Sequence, residues 1–207
     1  MKSLKIILPL LLSILLISCS KDEVNISEDV LYYANLEVGN YWVYDWYELT
    51  SEGESLLHEN DTVRILSETI ISGQTFFVKS PHKYGAGNLF LFDSLNAIYS
   101  YPARQIFFTL DDNAMQTIDL GPMDEPITTG TYQLRGEEEV DVPAGSFQCL
   151  NWRGVYVSNK VDYEFGDRFN DNYFAKNVGL IQMRTQFYSS PNDLEARLIS
   201  YGNLSNN

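Results

Sequence analysis

Residues 181–187 alternate without a break: Ile181, Met183, Thr185 and Phe187 fall on one side of an extended chain, Gln182, Arg184 and Gln186 on the other. A repeat of two is the signature of a half-buried strand, whose successive side chains face opposite ways. The same period runs through 41–47, where Trp42, Tyr44 and Trp46 share one face and Tyr41, Val43 and Tyr47 the other. In 147–157 it sets Leu150, Trp152 and Tyr156 against Phe147, Cys149 and Val155. Residues 63–71 and 75–78 flank Ser72-Gly73-Gln74 and read as a hairpin. Shorter extended segments are expected at 88–92, 97–101, 105–110, 132–142 and 194–201, set apart by Gly, Pro, Asp and Ser. No stretch after the first 18 residues sustains a helical period. The fold class expected is therefore all-β: one antiparallel, strongly curved sheet, as a β-sandwich or a partly open barrel.

Two kinds of connection interrupt the pattern. Pro122 and Pro126 remove backbone donors from 120–126, which cannot be a central strand and reads as a surface loop between two halves. In Val142-Pro143-Ala144-Gly145, Pro143 ends one ladder and Gly145 supplies a conformation open to glycine before the next strand. Gly179, after Asn177-Val178, plays the same part ahead of the final strands. These positions set register, which is a structural role.

The first residues follow other rules. Lys2 and Lys5 precede an apolar run, 6–17, that is too short for a spanning helix of about 20 residues and suits the hydrophobic region of a secretory signal, about 7–15 residues. The run closes on Leu16-Ile17-Ser18-Cys19, which resembles the lipobox of bacterial lipoproteins. The resemblance implies cleavage before Cys19, a diacylglyceryl group on its thiol and acylation of the new amine. Each buried methylene contributes about 0.8 kcal/mol, so two or three chains hold a protein at a membrane durably. Lys21, Asp22 and Glu23 resemble the charged signal that sends bacteroidete-type lipoproteins to the outer face of the outer membrane, the alternative being its periplasmic face. The expected organisation is a signal peptide over 1–18, a lipidated tether over 19–34 and one β domain over 35–207.

Composition narrows the partners. Loss of Lys2 and Lys5 takes the formal charge from −14 to −16 in the mature chain, which repels nucleic acid. With Cys19 lipidated, Cys149 has no partner for an intrachain disulfide, and its apolar strand makes it a buried, inert thiol.

Three further stretches resemble, in order, motifs of uncharacterised bacterial envelope lipoproteins of bacteroidete type. They are Leu36-Glu37-Val38-Gly39-Asn40-Tyr41-Trp42-Val43-Tyr44, Val142-Pro143-Ala144-Gly145-Ser146-Phe147, and Asn172-Tyr173-Phe174-Ala175-Lys176-Asn177-Val178-Gly179-Leu180-Ile181. The resemblance implies a strongly curved antiparallel sheet and brings no activity with it.

Catalytic chemistry is not encoded in any motif. His58 and His82 sit in separate polar segments, as solvated loop residues, without metal-ligand spacing. No nucleophile elbow, phosphate loop or dinucleotide fingerprint occurs. Glu137, Glu138 and Glu139 read as a solvated edge that discourages strand addition. Asp167, Asn170, Asp171 and Asn172 form an oxygen-rich segment without the register of a calcium loop. Asp61-Thr62-Val63 and Asp93-Ser94-Leu95 resemble O-glycan acceptor triplets of bacteroidete-type exported proteins. No enzyme activity, cofactor or metal site is expected.

Two functions fit. One is a surface lipoprotein that binds or assembles with a protein or glycan partner around a filled core. The other is a carrier of a lipid or other apolar ligand, with Trp42, Trp46 and Trp152 around a pocket. Of the two, a filled core is the expectation.

Lipidation is directly measurable. Metabolic labelling with a palmitate analogue should mark the wild-type chain and leave Cys19→Ala unmarked; equal label on both would remove the lipobox assignment.

Overall fold

Alternating segments become thirteen strands of one antiparallel sheet in the computed structural model, which describes residues 26–122, 124–160, 166–186 and 190–204. The strands are β1 (Asn40–Thr50), β2 (Gly53–Ile71), β3 (Gln74–Lys79), β4 (Leu89–Ser94), β5 (Ala97–Tyr101), β6 (Gln105–Thr109) and β7 (Met115–Leu120). They continue with β8 (Thr128–Val142), β9 (Gly145–Ser158), β10 (Arg168–Asn170), β11 (Asn172–Ala175), β12 (Gly179–Gln186) and β13 (Asp193–Asn203). Bonded neighbours run β6-β5-β4-β3-β2-β1-β13-β12-β11-β9-β8-β7, with β10 added beside β9.

The sheet curls into a nearly closed barrel. Its edges, β6 and β7, are consecutive in sequence. The seam between them is bridged where the Ile106 N–H donates to Gln116 Oε1 at 2.8 Å. Curling brings the two unpaired rows of backbone groups together instead of leaving them open to other chains.

Part of the segment expected as a tether, 19–34, is folded onto the sheet. Helix α1 (Ile26–Ala34) occupies its second half, with Val30 and Ala34 buried and Leu36 close behind. It packs against β4, β5, β6, β11 and β12. A nine-residue helix has too few turns to show its period in sequence. Cys19, Lys21, Asp22 and Glu23 lie outside the described residues, as does Phe187.

Two strands run beyond the sequence pattern. The first half of β2 pairs with β1, yet most of it is exposed on both faces and so carries no alternation. β7 is likewise largely exposed. Because β7 pairs with β8, the proline-containing segment 121–127 is a hairpin connection. The crossing from one edge of the sheet to the other falls earlier, at 110–114.

In β1, Trp42, Tyr44 and Trp46 face inward and are buried, while Tyr41, Val43 and Tyr47 are half-covered. In β12 the strict alternation breaks. Tyr173 pairs with Gln182 and Phe174 with Leu180, so Ile181 is an extra residue that switches faces, as bulges do. A second shift leaves Gly136 of β8 unmatched.

Curvature is stabilised by tyrosine rings laid over glycines on the paired strand. Gly130 faces Tyr156 and Gly154 faces Tyr132, and the two phenol oxygens are 2.8 Å apart. A Cβ at either glycine would come within 2.5 Å of the opposing ring. Tyr41 covers Gly202 in the same way on the β1–β13 pair. Glycine here leaves room for a ring, and the ring shields backbone that a bare glycine would expose.

Ala at Gly130 or Gly154 should therefore cost roughly 1–3 kcal/mol through overpacking. Gly136→Ala, where a Cβ meets nothing within 4 Å, serves as the control in denaturant melts. Equal stability of all three variants would refute the packing assignment.

Candidate functional site

The barrel interior is not filled. A cavity of about 370 Å³ is bounded by Trp46, Phe107, Trp152, Phe174, Leu180 and Met183, with other mostly apolar side chains between them. Leu180 and Met183 both reach it, although three residues apart, because of the bulge at Ile181. The filled core favoured from sequence is corrected by this space. A sheet of so many strands encloses more width than side chains from its inner face can span. Of the three tryptophans proposed from sequence, Trp46 and Trp152 line the cavity. Trp42 is buried outside its lining, with the indole N–H on Val178 O at 2.6 Å.

Loop 80–88, between β3 and β4, forms part of the wall and is exposed from Lys83 to its end. Its attachment centres on Asp61. One carboxylate oxygen, Oδ2, accepts from Trp46 Nε1 at 2.8 Å and from the Lys83 N–H at 2.7 Å, joining barrel wall and loop. Two loop rings then pack on Trp46: His82 at 5.2 Å and Tyr84, edge-on, at 4.9 Å. His82 is thus no solvated loop residue. Burial, and next the Lys79 charge, lower its pKa, partly opposed by Asp61, and Nδ1 accepts from the Tyr84 N–H at 3.2 Å. The contact with Trp46 joins residues 36 positions apart and has no sequence signal. His58 is half-exposed in β2, opposite Trp46.

Lys79, at the end of β3, is the charged group in the lining. Its Nζ sits 4.7 Å from the centre of the Phe107 ring and 5.8 Å from that of Trp42, close enough for cation–π attraction. Among the described residues it forms no salt bridge. Burial lowers its pKa from 10.5 to about 8. Its surroundings are made of residues remote in the chain, so sequence offered no sign of it.

The remaining sequence candidates fall elsewhere. Pro143 and Ala144 form the tip of the β8–β9 hairpin, which closes on the Val142–Gly145 pair with Gly145 at φ +137°. The Ala144 N–H donates to Leu198 O. Gly179, at φ +105°, lies under the Trp42 indole, 2.9 Å from where a Cβ would be. Cys149 is buried, and burial followed by Glu138 pushes its thiol up to about 12. Asp171 is committed to Arg153 Nε at 2.5 Å and Asn151 Nδ2 at 2.7 Å, and Asn170 and Asn172 donate to Tyr132 Oη and Trp152 O. That segment forms a corner between β10 and β11 in which Asp171 and the two amide groups bond to protein. Thr62 lies in the paired part of β2, while Leu95 sits on an exposed turn.

No protein-family model and no curated protein sequence matches the chain. Three solved structures resemble it loosely. A Parabacteroides distasonis protein described as a lipoprotein is 14% identical, with 81% of this chain and 96% of that one covered and a TM-score of 0.39. An exported protein of Bacteroides fragilis with a YmcC-like fold is 12% identical, with 80% and 96% covered and a TM-score of 0.42. YmcC of Escherichia coli, described as a lipoprotein, is 14% identical, with 86% and 91% covered and a TM-score of 0.38.

The Lys79 environment has a measurable consequence. The unfolded chain keeps its lysine proton to about 10.5, while the folded chain releases it near 8. Folded stability should accordingly rise with pH across that interval, by about 3 kcal/mol. Lys79→Met should flatten the rise and be the more stable form at pH 7, as read by denaturant melts of ligand-free protein. A flat wild-type profile would contradict the burial of this ammonium.

Proposed function

We propose that this chain is a lipid-anchored envelope protein whose barrel binds a small apolar ligand without transforming it. The cavity of about 370 Å³, walled by Trp46, Phe107, Trp152, Phe174 and Met183, carries this reading. Its size lies within the range of ligand pockets, about 300–1,000 Å³, and its wall is mainly apolar. At about 30 Å³ for a water-sized group, it has room for roughly a dozen such groups, which suits one medium-length alkyl chain. Anchoring rests on Cys19 and the preceding signal. Display on the outer face of the outer membrane rests on Lys21, Asp22 and Glu23.

Occupancy is testable with a neutral probe. The full chain, placed in phosphatidylcholine nanodiscs, should be labelled by a photoactivatable dodecanol at cavity residues such as Trp152 and Met183. Ala196→Phe adds a ring to a buried alanine of the lining and should cut that labelling at least fivefold, with far-UV circular dichroism unchanged. Labelling confined to outer-wall residues would reject the binding role.

A further inference from the structure

We propose that the cavity selects single-chain amphiphiles with a monoanionic carboxylate head, bound through Lys79; this rests on the ligand-binding reading above. The Lys79 ammonium has no acidic partner among the described residues. Lys79 lines the cavity, and its Nζ is set against the faces of Phe107 and Trp42. Ring faces attract a cation but satisfy none of its three N–H donors. A partly desolvated cation without an acceptor carries a cost, and an anion from outside that supplies one reduces it.

Of the other polar side chains in the lining, Tyr44, Ser80, Tyr132 and Asn172 are engaged with protein, and Gln105 is an exposed, uncharged amide. Tyr44 Oη donates to Leu180 O at 2.7 Å, and Ser80 Oγ accepts from the Arg64 N–H at 2.8 Å. Tyr132 Oη pairs with Tyr156 Oη, and Asn172 Nδ2 donates to Trp152 O. His82 uses Nδ1 on the Tyr84 N–H, and burial followed by the Lys79 charge lowers its pKa, partly opposed by Asp61. One cation is therefore free to recognise a head group, and one cation balances one negative charge. A phosphate monoester would bring a second charge that this lining does not meet. The nearby Asp61 carboxylate is occupied by Trp46 and Lys83 and does not neutralise Lys79 by direct pairing. The mainly apolar remainder of the wall takes the alkyl chain, and a volume of about 370 Å³ suits a single chain.

The test compares heads on one chain length. Full-length protein in phosphatidylcholine nanodiscs is photolabelled with the diazirine dodecanol probe and competed with unlabelled dodecanoate, dodecanol or dodecyl phosphate. Concentrations are expressed as membrane-bound competitor. On wild type, dodecanoate should compete at least tenfold more strongly than dodecanol and more strongly than dodecyl phosphate. Lys79→Met should abolish the preference for dodecanoate while keeping labelling by the alcohol probe, and Lys79→Arg should retain it. Equal potency of dodecanoate and dodecanol on wild type would overturn the head-group assignment and leave apolar binding standing. A stronger effect of dodecyl phosphate would overturn the choice of carboxylate. Absence of cavity labelling by any probe would remove both readings. If Lys79→Met does not fold, the wild-type order of the competitors decides the matter.

Discussion

A buried indole must find an acceptor for its N–H, and Trp42 finds Val178 O at 2.6 Å. This contact pins the first strand to the turn between β11 and β12, 136 residues away, although β13 and β12 intervene in the sheet. The bond is possible because Gly179, at a positive φ, leaves the indole a floor without a side chain. Tyr44 repeats the connection two residues on, donating to Leu180 O. Asn35, just past α1, donates to the same Val178 carbonyl at 3.2 Å, so the helix is tied in at the point where strand and turn meet. The position of α1 and the approach of β1 to the β11–β12 turn depend on this bracket.

The bracket also explains why the interior can stay open. Large side chains usually close a small barrel by meeting at its axis. Here Trp42 is drawn toward the wall by its acceptor, and Trp46 is held by Asp61 Oδ2. Both indoles are satisfied at the periphery, and α1 fills the space beside β4–β6 and β11–β12 without filling the rest. An apolar cavity with well-bonded rings in its walls is the outcome. Ion pairs brace the wall: Arg197 bonds Glu54 and Glu195 and lies over the Tyr47 ring, and Arg184 and Arg168 share Asp193.

Legibility followed the physical range of each interaction. The all-β class and the hairpin of β2 and β3 were readable because strand period and turn chemistry act over a few residues. Helix α1 and the exposed half of β2 were not, the one being too short for a period and the other having no buried face to impose one. The bulge at Ile181 hid within the cleanest alternation in the chain, since a bulge depends on the partner strand as much as on its own residues. Trp46 and Trp152 were legible as apolar wall, but the space between them was not, nor was the neighbour that gives His82 its buried face.

By itself the sequence determined which stretches extend, where the glycines and prolines turn them, and that an apolar N-terminal run ends in a lipobox-like cysteine. These are local matters, decided by backbone sterics and by side chains within a few positions. Tertiary structure alone decided that the strands curl until β6 meets β7, that a cavity remains, and that Lys79 faces it without an acidic partner among the described residues. Whether a barrel fills depends on the summed volume of side chains from many strands, and whether an ammonium is paired depends on groups far away in the chain. Neither quantity is a property of any segment.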